Sequence, residues 1–360
     1  MTATRHERGT CPVTGTAPGG LALRFGLLAL TAAGATAAGL ALGAVSVPLR
    51  EVVDWLLGRP VDPVSATILH DIRGPRTVTA LLVGASLGVA GLQTQTLFRN
   101  PLADPYVLGL SSGASLGVGV VILLAGTSAY AASLTAGLGL TGDLGVVLAA
   151  AVGSGLVMCL VLAAGRFLRS SSTLLLLGVM LGYLVSAAVT VMLAGATPEL
   201  IAQYTRWGFG SYHGVTWSNL TVLAPVLGLC LLLSMLLATW LNALLLGDNY
   251  ARTMGVDLRR ARASIVLTTA VLAGAATAFC GPIGFLGIAI PHLCRGFFGS
   301  SDHRVLLPGC VLAGGQVALA ADILAQLPGE GVLPLNAVNA AFGAPVVIYI
   351  LLSRHGGAGA

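Results

Sequence analysis

About twenty consecutive residues between Arg76 and Arg99 carry no charge, reading TVTALLVGASLGVAGLQTQTLF. Two arginines three apart, Arg73 and Arg76, precede the run, and Arg99-Asn100-Pro101-Leu102-Ala103-Asp104-Pro105 follows it. At about 1.5 Å rise per residue, a helix of that length crosses a hydrocarbon core of about 30 Å. The stretch therefore reads as a membrane crossing with a cation pair at one end and a stiff polar turn at the other.

The rest of the chain repeats this pattern. It is 56% hydrophobic and 9% charged, against about 25% charged residues in a soluble domain. So few charges cannot cover a water-soluble surface of this size. Lipid admits helices or closed barrels, because every backbone polar group must be satisfied internally. The apolar runs are continuous, without the ten-residue alternation of barrel strands, so the fold class is an all-α polytopic membrane protein. Spans are predicted at 21–47, 77–97, 105–125, 144–165, 173–196, 219–246, 264–280, 283–298, 305–327 and 334–352. The short seventh and eighth flank Gly281-Pro282, so one broken or re-entrant element is an alternative there. Residues 1–20 are polar and rich in Pro, Gly and Thr, and are expected to be disordered. Residues 21–354 form one transmembrane domain, with a short tail over 355–360. The run 21–47 is too long for a signal peptide and is followed by nine more spans.

All 18 basic residues are arginine. With the N-terminus in the cytoplasm, Arg50, Arg59, Arg73, Arg76 and Arg206 fall outside and the remaining thirteen inside. The positive-inside rule thus puts both termini in the cytoplasm. The absence of lysine excludes a phosphate-binding loop of the GxxxxGK[ST] type, so the chain is not itself an ATPase. Acidic residues avoid the middle of the spans, Asp322 coming nearest, which lowers the expectation of an ion-coupled carrier. No basic run marks a nucleic-acid surface. Cys11, Cys159, Cys230, Cys280, Cys294 and Cys310 show no paired spacing, and neither a metal site nor a cofactor is expected.

Five stretches could carry function. Arg73 and Arg76 share a helix face at an outer helix start; they read as solvated interface arginines or as a docking site for carboxylates of an extracytoplasmic partner. The inner loop 246–260 reads as an orienting basic loop or as two short helices with a Gly255 hinge, Asp248 capping the first and Asp257 the second. In Gly281 to Arg295 and Ser301 to Arg304, His292 and His303 are set aside as metal ligands, and Gly, Pro and the polar turn are structural. Small residues over 333–345 permit close helix contact at an interface, a pathway or simple packing. Arg169 to Thr173 is a polar inner turn or a gate.

In order and spacing, the pieces RGPR, LVGASLGVAGLQTQTLFRNPLADPYVLG, LLLLGVMLG, LGDNYARTMGV, GPIGFLGIAIPHLCR, SDHRVLLPG and the final LP…GAP resemble the FecCD-type permeases of iron–siderophore, haem and cobalamin uptake. The resemblance covers about residues 70 to 350. It implies a type II ABC importer permease with ten helices, working as a homodimer or with a related paralogue, with the pathway at the subunit interface. Two cytoplasmic ATPase subunits and an extracytoplasmic substrate-binding protein would complete the system. Arg73 and Arg76 match the arginines that receive the binding protein's acids. A third such arginine is replaced here by Gln326. The coupling loop 247–262, with Gly247, Asp248, Ala251, Arg252, Gly255 and Arg259, matches the helices seated in the ATPase. Ser171 and Ser172 match an inner gate. Asn336 stands where many relatives have Gly. The expected cargo is a ferric siderophore, with haem or cobalamin as alternatives and a self-sufficient secondary carrier as the reading from another class.

Overall fold

The computed structural model describes residues 18–43, 45–124, 143–167, 171–326 and 333–356. Residues 1–17, Arg169, Ser170 and the tail 357–360 lie outside the described residues, as does Cys11. The helices in chain order are α1 (Pro18–Ala41), α2 (Leu49–Leu56), α3 (Pro63–Thr67), α4 (Gly74–Phe98), α5 (Leu110–Gly119), α6 (Asp143–Phe167), α7 (Ser171–Ala194), α8 (Pro198–Gly208), α9 (Trp217–Leu236), α10 (Ala238–Leu245), α11 (Asp248–Thr253), α12 (Leu258–Cys280), α13 (Leu286–Phe298), α14 (His303–Gln326) and α15 (Leu335–Gly356). A π turn, Ile68–Arg73, joins α3 to α4, and a second, Val120–Leu124, extends α5.

Seven of these helices are long and apolar enough to cross a membrane. The shorter apolar helices Leu110–Leu123 and Leu286–Phe298, with the terminal α15, complete the ten expected crossings. Several details differ from the sequence reading. Helix α1 starts at Pro18. The sixth span is two helices, α9 and α10, meeting at Leu237. The doubtful seventh and eighth spans are separate helices joined by the extended stretch 281–285, where Gly281 has φ 72° and Phe285 φ 69°. The thirteen residues of α13 reach only about 20 Å, and the extended link supplies further length towards the far side.

Local chemistry sets the helix starts. Asp62 accepts from the Val64 and Ser65 amides ahead of α3, with Pro63 in its first turn. Thr216 caps α9 through the Asn219 amide, and Asp257 caps α12 through Arg259 and Arg260.

Helix α4 is the axis of the fold. It packs on α14, α12, α13 and α9, and 83% of its apolar window is buried. Such burial needs a thin helix. A Cβ on Gly84 would lie 2.2 Å from the Gly314 carbonyl oxygen of α14, and one on Gly91 would lie 1.9 Å from that of Gly287 on α13. The backbones touch, as helices do in lipid where packing replaces the hydrophobic drive. The last turns of α4 are polar yet buried. Gln93 Oε1 accepts from Thr269 of α12 at 2.8 Å, and Gln95 Oε1 accepts from Arg295 of α13 at 2.7 Å. Thr96 bonds His303 of α14 at 2.8 Å.

Candidate functional site

At the outer end, the two arginines that sequence placed side by side part company. Arg73 closes the π turn and Arg76 sits in the first turn of α4. Arg73 donates to the Leu40 carbonyl at 2.6 Å and to the Val45 carbonyl, tying down the end of α1. Arg76 reaches across to α14 and pairs with Asp322, Nη2 to Oδ1 at 2.7 Å. Each arginine is only 5% exposed. Gln326, one turn beyond Asp322, donates to the Asp322 carbonyl. A Cβ on Gly43 would meet both Arg73 Nη2, at 2.8 Å, and Gln326 Oε1, at 3.2 Å. Arg73, Arg76 and Gln326 therefore do converge, but the two guanidiniums face inward, onto partners from their own chain. The reading of them as solvated interface arginines is corrected by this burial. The ion pair also answers why Asp322 could lie in an apolar helix: a carboxylate there requires a cation. That demand was the signal in the sequence, but nothing local named Arg76 as the partner.

Beside the pair opens a cavity of about 440 Å³. Its walls are the end of α8 with the loop after it (Arg206, Phe209, Ser211, His213), Asp322 and Ala325 of α14, and Leu333 to Leu335 at the start of α15. Partial desolvation in its wall, with the Arg76 charge adding to it, lowers the His213 imidazole to about 4. Just inside, Asn336 in the first turn of α15 ties the link 281–285 to the end of α8. Its Oδ1 accepts from Gly284 N at 2.9 Å, and its Nδ2 donates to the carbonyls of Pro282 at 2.7 Å and Gly208 at 3.2 Å. Tyr106 supplies a further bond to this extended link through Ile283 N. A break inside a bundle is tolerated when side chains take up the freed backbone groups. Asn336 was noted in the sequence as a departure, without this role being visible.

At the opposite end, the loop after α10 forms the compact knob foreseen in the sequence. Gly247 turns at φ 108°, α11 makes one and a half turns, and Gly255 at φ 81° ends it. Val256 N returns to the Ala251 carbonyl, closing the terminus as left-handed glycine caps do. Ala251 is fully buried, while Tyr250, Arg252, Met254 and Arg259 face solvent. One detail differs: Asp248 does not cap α11. Gly247 occupies the cap position, and the Asp248 carboxylate is held between Arg99 of the α4 turn at 2.6 Å and Arg262 of α12 at 2.5 Å. The knob is thereby fixed to two spans at once. Ser171 and Ser172 open α7 at this end. His303 links α4 and α10 through Thr96 and Asn242, while His292 Nδ1 bonds the Ile288 carbonyl one turn back within α13.

A bundle of ten apolar crossings around one glycine-thinned helix, with a cytoplasmic knob at one end and a largely apolar cavity beside a buried ion pair at the other, defines a polytopic transport permease. The FecCD transport family matches residues 29–353. The chain belongs to that family: it is an ABC importer permease, a transport subunit rather than an ATPase, and a multi-pass protein of the cell membrane. The vitamin B12 import system permease protein of Klebsiella pneumoniae subsp. pneumoniae is 39% identical over 290 residues, covering 80% of this chain and 83% of that one. Its counterpart in Salmonella arizonae is 38% identical over 304 residues, with 83% and 85% covered. Among solved structures, a metal-chelate type ABC transporter in an inward-facing conformation superposes with a TM-score of 0.79. It is 28% identical, covering 92% of this chain and 99% of that one.

Proposed function

We propose that this chain forms the translocation pathway of an ATP-driven importer for a cobalamin-class corrinoid, working as a dimer with two ATPase subunits and an extracytoplasmic binding protein. One observation carries the cargo: relatives with 38–39% identity over more than four-fifths of both chains are vitamin B12 import permeases. This displaces the ferric siderophore as the leading cargo. A ferric chelate stands second, because the superposable solved structure is of metal-chelate type. In this reading, the knob 247–262 seats in the ATPase and passes its motion to α4 and α12 through Asp248. Arg73, Arg76 and Gln326 organise the face that the binding protein meets. Ser171 and Ser172 stand at the inner gate. Specificity lies chiefly with the binding protein, and alternating access moves the cargo.

The test is uptake into proteoliposomes carrying the permease, its ATPase and its binding protein. ATP-dependent accumulation of radiolabelled cyanocobalamin, unaffected by excess ferric siderophore, is the expected result. Accumulation of the ferric siderophore alone would reverse the two cargoes. Uptake by the permease without ATPase would overturn the importer reading.

A further inference from the structure

Helix α2 (Leu49–Leu56) lies at the outer end of the bundle, between α1 and the π turn that precedes α4. It is a closed element with a defined stop. The Gly58 amide donates to the Trp55 carbonyl and the Arg59 amide to the Asp54 carbonyl, with Gly58 at φ 68°, the pattern of a left-handed glycine cap. Its inner edge is packed. Val52 is buried in a cluster with Leu40 from the last turn of α1, Val47, and Leu69 of the π turn, and Trp55 packs against the same cluster. Helix α2 is therefore level with the outer ends of α1 and α4.

The rest of its surface has two sides. Arg50 and Asp54, four residues apart, share one side, and Asp54 also pairs with Arg59. Leu49, Val53 and Leu56 recur at helical spacing on the other, and they expose 58%, 46% and 62% of their surface. The flanking chain adds Leu42, Val45 and Leu57, which are exposed as well. An apolar surface of this kind marks a contact with another apolar body. Three observations make that body lipid. The surface continues that of α1, whose apolar window has none of its residues buried. Trp55, half-buried at this level, is of the residue type favoured where membrane meets water. The charges of the helix and its cap are matched, Arg50 and Arg59 against Glu51 and Asp54, so they do not form the one-sign field that steers a charged partner.

We propose that α2 is an in-plane membrane helix. Its Leu49–Val53–Leu56 face lies among the acyl chains of the outer leaflet, and its Arg50–Asp54 side stays at headgroup level, as amphipathic helices do at a bilayer surface. With the charges matched, apolar area drives the insertion, so neutral phospholipid suffices. The inserted helix steadies the end of α1, where the Leu40 and Val45 carbonyls seat Arg73.

The experiment is photo-crosslinking in the permease–ATPase assembly, reconstituted in nanodiscs of phosphatidylcholine alone or mixed with phosphatidylglycerol. The photoreactive residue p-benzoylphenylalanine is placed at Val53, at Leu56 or, as the control, at Asp54, and adducts are read by mass spectrometry of the peptide. Co-purification of the ATPase shows that each variant is folded. Val53 and Leu56 should give phospholipid adducts, to a similar extent in both nanodiscs and several-fold more than Asp54. Equal lipid adducts at all three positions would overturn the oriented face. Adducts only where phosphatidylglycerol is present would overturn insertion by apolar area. Crosslinks from Val53 and Leu56 to a second permease copy, to the added binding protein or to this chain's own residues, in place of lipid, would overturn the proposal and name the occupant instead. Absence of any adduct at Val53 and Leu56 would overturn it too.

Discussion

The guanidinium of Arg76 on α4 and the carboxylate of Asp322 on α14 meet at 2.7 Å, with side chains 6% and 5% exposed. The pair sits at the seam between the two most extensively packed helices of the fold. Removing one partner of such a pair leaves a buried charge uncompensated, which costs about 3–5 kcal/mol, whereas replacing both with apolar groups of similar volume is near neutral. Asp322→Ala should therefore lower the thermal unfolding midpoint of the purified assembly sharply. Arg76→Met with Asp322→Leu should recover most of the loss. Additive losses in the double variant would contradict the pairing. Arg76→Glu would set two carboxylates together, so loss of uptake in an Arg73→Glu, Arg76→Glu variant would report folding as much as docking.

Close backbone contact makes a second prediction. Gly91→Ala places a methyl group 1.9 Å from the Gly287 carbonyl oxygen, and overpacking of this kind costs about 1–3 kcal/mol or more. A Cβ on Gly34 of α1 meets nothing within 4 Å, so Gly34→Ala should be neutral or stabilising by up to about 1 kcal/mol. Equal folded yields for the two variants would refute the α4–α13 contact.

The knob can be broken at one backbone angle. Gly255 has φ 81° and open space around it. Proline is locked near −65°, so Gly255→Pro must unfold the end of α11. Gly255→Ala strains it by only about 1–3 kcal/mol. The expected outcome is ATP hydrolysis without uptake in the proline variant and partial coupling in the alanine variant. Normal coupling in Gly255→Pro would remove the knob from the mechanism.

Asp104, in the turn between the second and third spans, gives a pH-dependent test. Burial pushes its carboxyl up to about 6, a hydrogen bond from the Tyr106 amide opposing the shift. The unfolded value is about 3.9. Between these values the folded protein binds more protons, so stability falls as pH rises through the window, and the loss is complete above it. Asp104→Asn keeps an oxygen for the Tyr106 amide and removes the charge. It should raise stability at pH 7.5 by on the order of 2–3 kcal/mol, seen as a higher unfolding midpoint, and make little difference at pH 4. A midpoint gap that does not change with pH would contradict the buried carboxyl.

The crossings, the all-helical class and the knob were legible in the sequence because each is written locally. An apolar run of one length, a glycine at a turn and an aspartate before a helix act within a few residues of themselves. The family likeness was legible for the same reason, resting on contiguous motifs. Partner choice was not local. Arg73 and Arg76 look identical in sequence, yet one is held by the end of α1 and the other by Asp322, 246 residues away. Asp248 looks like a helix cap and is a bridge between Arg99 and Arg262. The sequence by itself determined how many times the chain crosses the membrane and where it turns, since backbone satisfaction in lipid depends on each segment alone. The tertiary structure decided which charges are spent and which remain available. A buried charge takes its partner from whatever helix packing brings within about 3 Å, and in this bundle those partners lie far along the chain.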